Sequence, residues 1–459
     1  MITPAKSILL LCFSLLASAA LACSLGGQGA AATPPSEPPE EATVQAQPSA
    51  APASALPATA VPATQGPGGL AGGYQTVIAA PEGAGEAFGR YASLVLDAEN
   101  DPIIAYVSAD PNADGDASDS EMLVVSWDRA SGAWRAPVRV ATVGETSAGR
   151  PAYQISLARD AGTGGLALAY VAKNLGELWL ASSSDGGLTW STEQVQTPGE
   201  GHNYLGPVVA LAKGVTHLAV ADSNNNSTYL SRTTTSGSFN VTPLPLAPGT
   251  EDVQYAQPGL ALDSAGRPGM AYWLVSSEDG GLALAYWRPG DPAPTRITDT
   301  GGTQNDTPFV ALAYAGDQPV VAFAAILGYD PATNDTTGDV WAARPNPGGQ
   351  RAPIVAVPRD GGQSMAGPLA LAVSAQGEGA IGPWVAGGNL EGTVCGRPKL
   401  ARSGDGKTWQ TCSPDPSEDT NWNTGFVGAA FGSDGKLSLV IQNVSADGLP
   451  AGLIFWREP

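Results

Sequence analysis

Histidine is almost absent from this chain: His202 and His217 are the only two in 459 residues. That scarcity nearly excludes a multi-histidine zinc site and a histidine-based catalytic triad. Cysteine is nearly as scarce, with 4 in all, and metal binding by the two thiols of Cys395 and Cys412 alone is disfavoured. Basic residues are few. The 22 Lys and Arg stand against 43 Asp and Glu, for a formal net charge of −21. A surface so acidic repels nucleic acid and anionic lipid headgroups, which argues against a nucleic-acid partner. It favours cations and neutral ligands, or simply serves solubility. Charged residues of both signs make up only 14% of the chain, and long apolar stretches at helical spacing are missing. In their place stand 58 Gly and 39 Pro, punctuating short apolar runs. That pattern is the mark of an all-β protein.

The apolar run from Ile8 to Ala22 is too short to make a good membrane span. With Lys6 ahead of it, it reads as a secretory leader. It ends Ala20-Leu21-Ala22-Cys23. This resembles the bacterial lipobox, in which cleavage falls before a cysteine that then carries lipid. The resemblance implies export and a lipid on Cys23 that tethers the protein to the cell envelope without spanning the membrane. The other reading is an ordinary cleavage site with an incidental cysteine. Three regions are therefore expected: a leader over residues 1–22, a linker over 23–72 and a folded domain over 73–459. The linker is dominated by Pro, Ala, Thr, Ser, Gln and Gly, with Glu37, Glu40 and Glu41 as its only charges. Such a segment has nothing with which to form a core and is expected to be disordered.

From Gly73 onward one pattern recurs about every 50 to 60 residues, too long for a solenoid rung and right for a propeller blade. A first strand rich in small residues meets a Gly/Asp turn and then a second strand. The instances begin at Ser93, Ile155, Val208, Gly259, Phe309, Leu369 and Val427. Small side chains suit strands that converge on a central axis. The chain ends on the third strand of the last unit, Leu453 to Trp456. The strand that completes it is supplied from the other end, Tyr74 to Ile78, which closes the ring and removes its open edges. The expected fold is all-β: a seven-bladed β-propeller, its N-terminal strand closing the last blade, after a disordered linker.

Within this frame, Ser183-Ser184-Asp185-Gly186-Gly187-Leu188-Thr189-Trp190 reads S-x-D-x-G-x-T-W. The carboxylate is placed to accept bonds from turn N–H groups, the glycines supply positive φ, and the Trp folds over the turn. Ser403 to Trp409 repeats the motif one residue short, and Ser126-Trp127-Asp128 with Trp134 is a looser version. The motif resembles the Asp-box of the sialidase-like (BNR-repeat) propeller superfamily, and the likeness covers roughly residues 74–459. The superfamily includes sialidases, other glycosidases and many non-catalytic proteins. A sialidase would need three arginines, an Asp acid/base and a Tyr activated by Glu. Here Arg90-Tyr91-Ala92 stands where that family has R-I-P and lacks the proline, and the seven units exceed the six blades usual in sialidases.

Three constellations could carry function. Asp110 to Glu121 fits D-x-N-x-D-G-x5-E, with Asp110, Asn112, Asp114, Asp116 and Glu121 as oxygen ligands for Ca2+. The alternative is a solvated acidic loop, and Asp330, Asn334, Asp335 and Asp339 form a weaker analogue. Cys395 and Cys412 are expected to form a disulfide worth on the order of 3 kcal/mol. The segments entering each unit line the mouth of the central channel. They hold Arg90, Arg150, Tyr153, His202, Tyr204, Tyr255 and Trp422. Aromatics with Asn, Asp and Arg suit sugar rings, and the alternative is ordinary loop polarity. The resulting expectation is an envelope-tethered lipoprotein whose propeller binds a glycan or protein partner without catalysis. The alternative is an exo-acting glycoside hydrolase of sialidase-like type.

Overall fold

Alternation of side chains across a strand lets one short segment pack against two neighbours at once. Pro102–Ser108 illustrates this: Ile104 and Tyr106 join one buried cluster, while Ile103, Ala105 and Val107 join another. The same two-sided burial recurs around the chain and produces a ring. The computed structural model describes residues 72–79, 92–108, 121–143, 155–172, 176–197, 199–223, 227–233, 237–303, 309–330, 335–346, 352–357, 369–385, 398–412, 422–444 and 450–459. The expected leader, Cys23 and the linker up to residue 71 lie outside these residues.

The described chain is all-β and arranged as seven small antiparallel sheets, the blades of a β-propeller. Strand β1 (Gly73–Ala79) precedes the first blade, which holds β2 (Ser93–Leu96), β3 (Pro102–Ser108), β4 (Glu121–Asp128), β5 (Ala133–Trp134) and β6 (Val138–Thr142). The second holds β7 (Ile155–Arg159), β8 (Leu166–Ala172), β9 (Glu177–Ser183) and β10 (Ser191–Val195). The third holds β11 (Tyr204–Ala212), β12 (Val215–Asp222), β13 (Thr228–Thr233) and β14 (Asn240–Pro243). The fourth holds β15 (Thr250–Val253), β16 (Gly259–Leu262), β17 (Pro268–Ser276), β18 (Gly281–Trp287) and β19 (Thr295–Thr303). The fifth holds β20 (Phe309–Ala315), β21 (Gln318–Asp330), β22 (Asp335–Ala343) and β23 (Ile354–Ala356). The sixth holds β24 (Leu371–Val373), β25 (Gly379–Val385), β26 (Pro398–Ser403) and β27 (Gln410–Cys412), and the seventh β28 (Trp422–Phe431), β29 (Leu437–Val444) and β30 (Pro450–Arg457).

The seventh blade takes β1 as its outer strand. Tyr74 pairs with Trp456, Gln75 with Phe455 and Thr76 with Ile454, the closure expected from the sequence. Seven buried clusters fill the seven seams between neighbouring blades, among them one that joins β1, the first blade and the seventh. A closed ring has no free sheet face, which is why each blade is apolar on both sides.

The Asp-box turns are pins in these seams. Asp185 Oδ1 accepts the N–H groups of Leu188 and Thr189, each at 3.0 Å, and Oδ2 accepts the Thr189 hydroxyl at 2.6 Å. Gly187 has φ +91, a conformation that side chains rarely adopt. Trp190 donates its indole N–H to the Gly187 carbonyl at 3.0 Å. Its ring is buried with Met122 and Val124 of the preceding blade. Asp405 repeats the arrangement, accepting from Lys407 and Thr408, and Trp409 packs with Val320 and Val340 of the fifth blade.

Several elements differ from the sequence expectation. The first blade's outer strand, expected from Trp134 to Val140, breaks into β5 and β6, because Pro137 lacks the N–H a ladder needs. Strand β15 was not anticipated: it pairs with the end of β17 and precedes the inner strand β16. Trp422, expected in an entering segment, begins β28 and pairs with Asn443. Asp330 pairs with Asp335 and Asp339 with Ala325, so these three members of the weaker calcium-loop analogue sit on the ladder of β21 and β22, and Asn334 lies outside the described residues.

The innermost strands crowd the axis with small residues. A Cβ on Gly428 would come within 2.8 Å of the Leu94 backbone nitrogen, and one on Gly259 within 3.0 Å of that of Leu312. Between them runs a half-enclosed cavity of about 210 Å³, lined by residues of all seven blades. Its wall includes Ser93, whose Oγ accepts the Leu157 N–H at 3.0 Å, and Ser156, whose Oγ accepts the Val209 N–H at 3.1 Å. Each bond ties one blade to the next.

Candidate functional site

The end of the ring at which the innermost strands begin is the mouth of the channel. In the third blade the ladder of β11 and β12 sets Tyr204 opposite Asp222. Asp222 is buried at the last position of β12, its side chain 2% exposed. Its Oδ2 accepts from His202 Nδ1 at 2.7 Å, and its Oδ1 from the Asn203 N–H at 3.2 Å. An ionised carboxylate only accepts, so the bond assigns the proton to Nδ1 and, in the neutral ring, leaves the Nε2 lone pair on the other side. The imidazole stacks on Tyr204, with centroids 4.8 Å apart and planes at 15°. The Tyr204 hydroxyl bonds to Thr197 Oγ1.

Thr197 Oγ1 lies 3.5 Å from His202 Nδ1 and 3.4 Å from Nε2. Near-equal distances place it off the lone-pair direction of either nitrogen, so Asp222, His202 and Thr197 do not form a nucleophilic relay. Burial, helped by the Asp222 charge, pushes the Tyr204 phenol up to about 12 despite its bond to Thr197. Tyr255 follows for the same two causes, burial first, and also reaches about 12. Both phenols are therefore neutral, donating hydroxyls at physiological pH. Tyr255 lies between β15 and β16, where the Gln254 N–H bonds the Trp273 carbonyl and Pro258 precedes the inner strand. Its hydroxyl is buried and has no hydrogen-bond partner among the described residues. The imidazole is thus held rigidly against a phenol that is itself buried, at 2% exposure, and His202, with its side chain 14% exposed, is the more accessible member of the pair.

Of the residues expected at the mouth, His202 and Tyr204 are brought into contact, and Tyr255 comes within the electrostatic reach of Asp222. Arg90, Arg150 and Tyr153 lie outside the described residues, as does the side chain of Trp422. Asp110, Asn112, Asp114, Asp116 and Cys395 lie outside them too, and so does the side chain of Cys412. Glu121 is described: its Oε1 accepts from Arg139 Nη1 at 3.0 Å, a bond that a cation would have to share. Among the described residues no group of three or more His, Cys, Asp or Glu is gathered as a metal site would require.

Sequence reasoning missed Asp222 and Thr197. The available signal was register: once His202 and Tyr204 open an inner strand, the end of the next strand must face them.

No protein-family model matches this chain, and a search of curated proteins found no relative. Solved structures do resemble it. The α-L-arabinofuranosidase Arb93A from Fusarium graminearum, in complex with an iminosugar inhibitor, is 12% identical, with 83% of this chain and 96% of that chain covered at a TM-score of 0.49. A fungal alcohol oxidase of the AA5 family, in complex with copper, is 9% identical over 84% and 76% at 0.51. The NanB sialidase from Streptococcus pneumoniae is 10% identical over 85% and 71% at 0.43. Likeness at such identities concerns the fold alone. The chain is a seven-bladed β-propeller protein.

Proposed function

We propose that the propeller recognises glycan at the channel mouth, where Thr197, His202, Tyr204, Asp222 and Tyr255 converge. The observation that carries this reading is the stack of His202 on Tyr204, held by the buried Asp222, with Tyr255 near that carboxylate and its hydroxyl without a partner among the described residues. Tyr204 is buried beneath His202 and fixes its ring, so the imidazole is the group placed to meet the rim of a sugar. A protein partner is the other occupant that such a surface suits. The test is glycan-array binding of the wild type against His202→Ala and Tyr255→Ala. Binding lost in both variants, with melting unchanged, supports the reading; unaltered binding sinks it.

A second reading, an exo-acting glycoside hydrolase of sialidase-like type, draws on one observation. Asp222 is a buried carboxylate flanked by two phenols at the mouth, the kinds of group that acid–base chemistry on a glycosidic bond uses. A glycosidase needs a second carboxylate at about 5–9.5 Å. Turnover of a fluorogenic glycoside panel that Asp222→Asn abolishes would decide for it.

The proposal extends to the address. Lipid on Cys23 would hold the domain at the cell envelope on a long Pro/Ala-rich linker, where polymeric glycan is at hand. Cys23→Ser should move the protein from the membrane to the soluble fraction, and unchanged partitioning would remove this part. The acidic charge supports a role without nucleic acid.

A further inference from the structure

We propose that the central channel is itself a binding site, and that it takes one neutral sugar ring. This rests on the glycan reading and narrows it to recognition of an uncharged terminal residue. The cavity of about 210 Å³ falls below the roughly 300 Å³ at which pockets for drug-sized ligands begin. A volume of that order is on the scale of a single pyranose or furanose.

Its chemistry is polar on one side and apolar on the other. Ser93 and Ser156 each accept one backbone N–H from the next blade, so each hydroxyl still has a proton to give. Gln257 adds an amide with both donors and an acceptor. Across the channel stand Ala311, Ala370 and Gly428. Each innermost strand has a sheet neighbour on one side only. Its other edge, with alternate N–H and C=O groups, therefore points inward. A ligand whose rim is all hydroxyls can use both kinds of group, whereas an aliphatic ligand would strand them.

Among the described residues, no Asp, Glu, Lys, Arg or His lines the cavity. A sialic acid or uronate would bury a carboxylate there without a counter-charge, at heavy cost. The site therefore selects neutral sugars against acidic ones, and its size selects chain ends over chain interiors.

The experiment is calorimetric titration of the full chain with free D-glucose, D-galactose, D-xylose, L-arabinose, N-acetylneuraminic acid and D-glucuronate. At least one neutral sugar should bind in the millimolar range and neither acid should. Ala370→Leu, which fills the channel, should abolish that binding without changing binding at the mouth. Gln257→Leu should weaken it about fivefold, the worth of one hydrogen bond, and it carries the test if Ala370→Leu does not fold. No binding of any neutral sugar, equal binding of the acids, or binding untouched by both channel variants would overturn the proposal. Array binding that needs His202 and Tyr255 but ignores Ala370→Leu would sink the channel site and leave the mouth standing. The reverse pattern would sink the mouth and leave the channel.

Discussion

Arg457, two residues from the end of the chain, donates Nη1 to the backbone carbonyl of Asn100 at 2.7 Å, although 357 residues separate them. Nη2 of the same guanidinium bonds Asp434 at 2.5 Å, and Asn100 Oδ1 accepts the Ser433 N–H at 2.6 Å. The first and last blades are thus joined at the hairpin turns as well as through β1. Arg457 is buried, at 8% exposure, so its loss would leave a desolvated carbonyl behind. Arg457→Ala should cost about 1.5–3 kcal/mol, read as a lower midpoint in urea. Deleting Gly73–Ala79 should do more: it bares the edge of β30 and should produce oligomers on size-exclusion chromatography.

The Asp-box turn offers a more local prediction. Partial burial alone would raise the Asp185 pKa. The Thr189 hydroxyl and N–H, the Ser183 hydroxyl and the Leu188 N–H outweigh it and hold the carboxyl at about 2. Its folded value lies below the unfolded 3.8, so the stability it adds is complete above pH 3.8 and is lost as pH falls through about 2. Asp185→Ala should lower the melting temperature by a few degrees at pH 7 and by less at pH 2. An equal loss at both pH values would mean that the turn is held by Gly187 and Trp190 alone.

How much of this could be read from the chain depended on where each residue's constraint comes from. The inner strands were legible because convergence on an axis admits only small side chains, and the closing strand because the last unit ended one strand short. Asp185 and Trp190 act within eight residues, so a linear motif contains them. Strand β23 is three residues long and β15 is polar, and both are ordered by neighbouring strands more than by their own composition. Asp222 reaches His202 only through the ladder of β11 and β12, which no local pattern encodes. The mouth was therefore legible as a place, and its chemistry only in part.

The calcium site proposed on Asp110, Asn112, Asp114, Asp116 and Glu121 gives a prediction about metal removal. Carboxylates so close in sequence repel one another unless a cation neutralises them, and a cation bound only by the folded state stabilises it by mass action. Chelator should lower the wild-type melting temperature, calcium should restore it, and Asp114→Ala should respond to neither. A mutant that responds like the wild type would reassign the loop as a solvated acidic connection.

His217 supplies the pH dependence. It sits at 7% exposure on β12, stacked on Tyr229 at 6.0 Å, with Nδ1 2.7 Å from the Tyr229 hydroxyl. Burial penalises the imidazolium and pushes its pKa down from 6.5 to about 4. Above pH 6.5 the ring is neutral in both the folded and unfolded chain and contributes no slope. Between 6.5 and about 4 the unfolded chain binds the proton and the folded one does not, so stability falls as pH falls. Below about 4 both forms are protonated and the slope ends. Urea midpoints from pH 8 to pH 4 should therefore decline below 6.5 in the wild type. His217→Gln, which keeps a hydrogen-bonding side chain but cannot titrate, should start lower and decline less over the same window. Parallel curves for the two proteins would place the pH dependence elsewhere than His217.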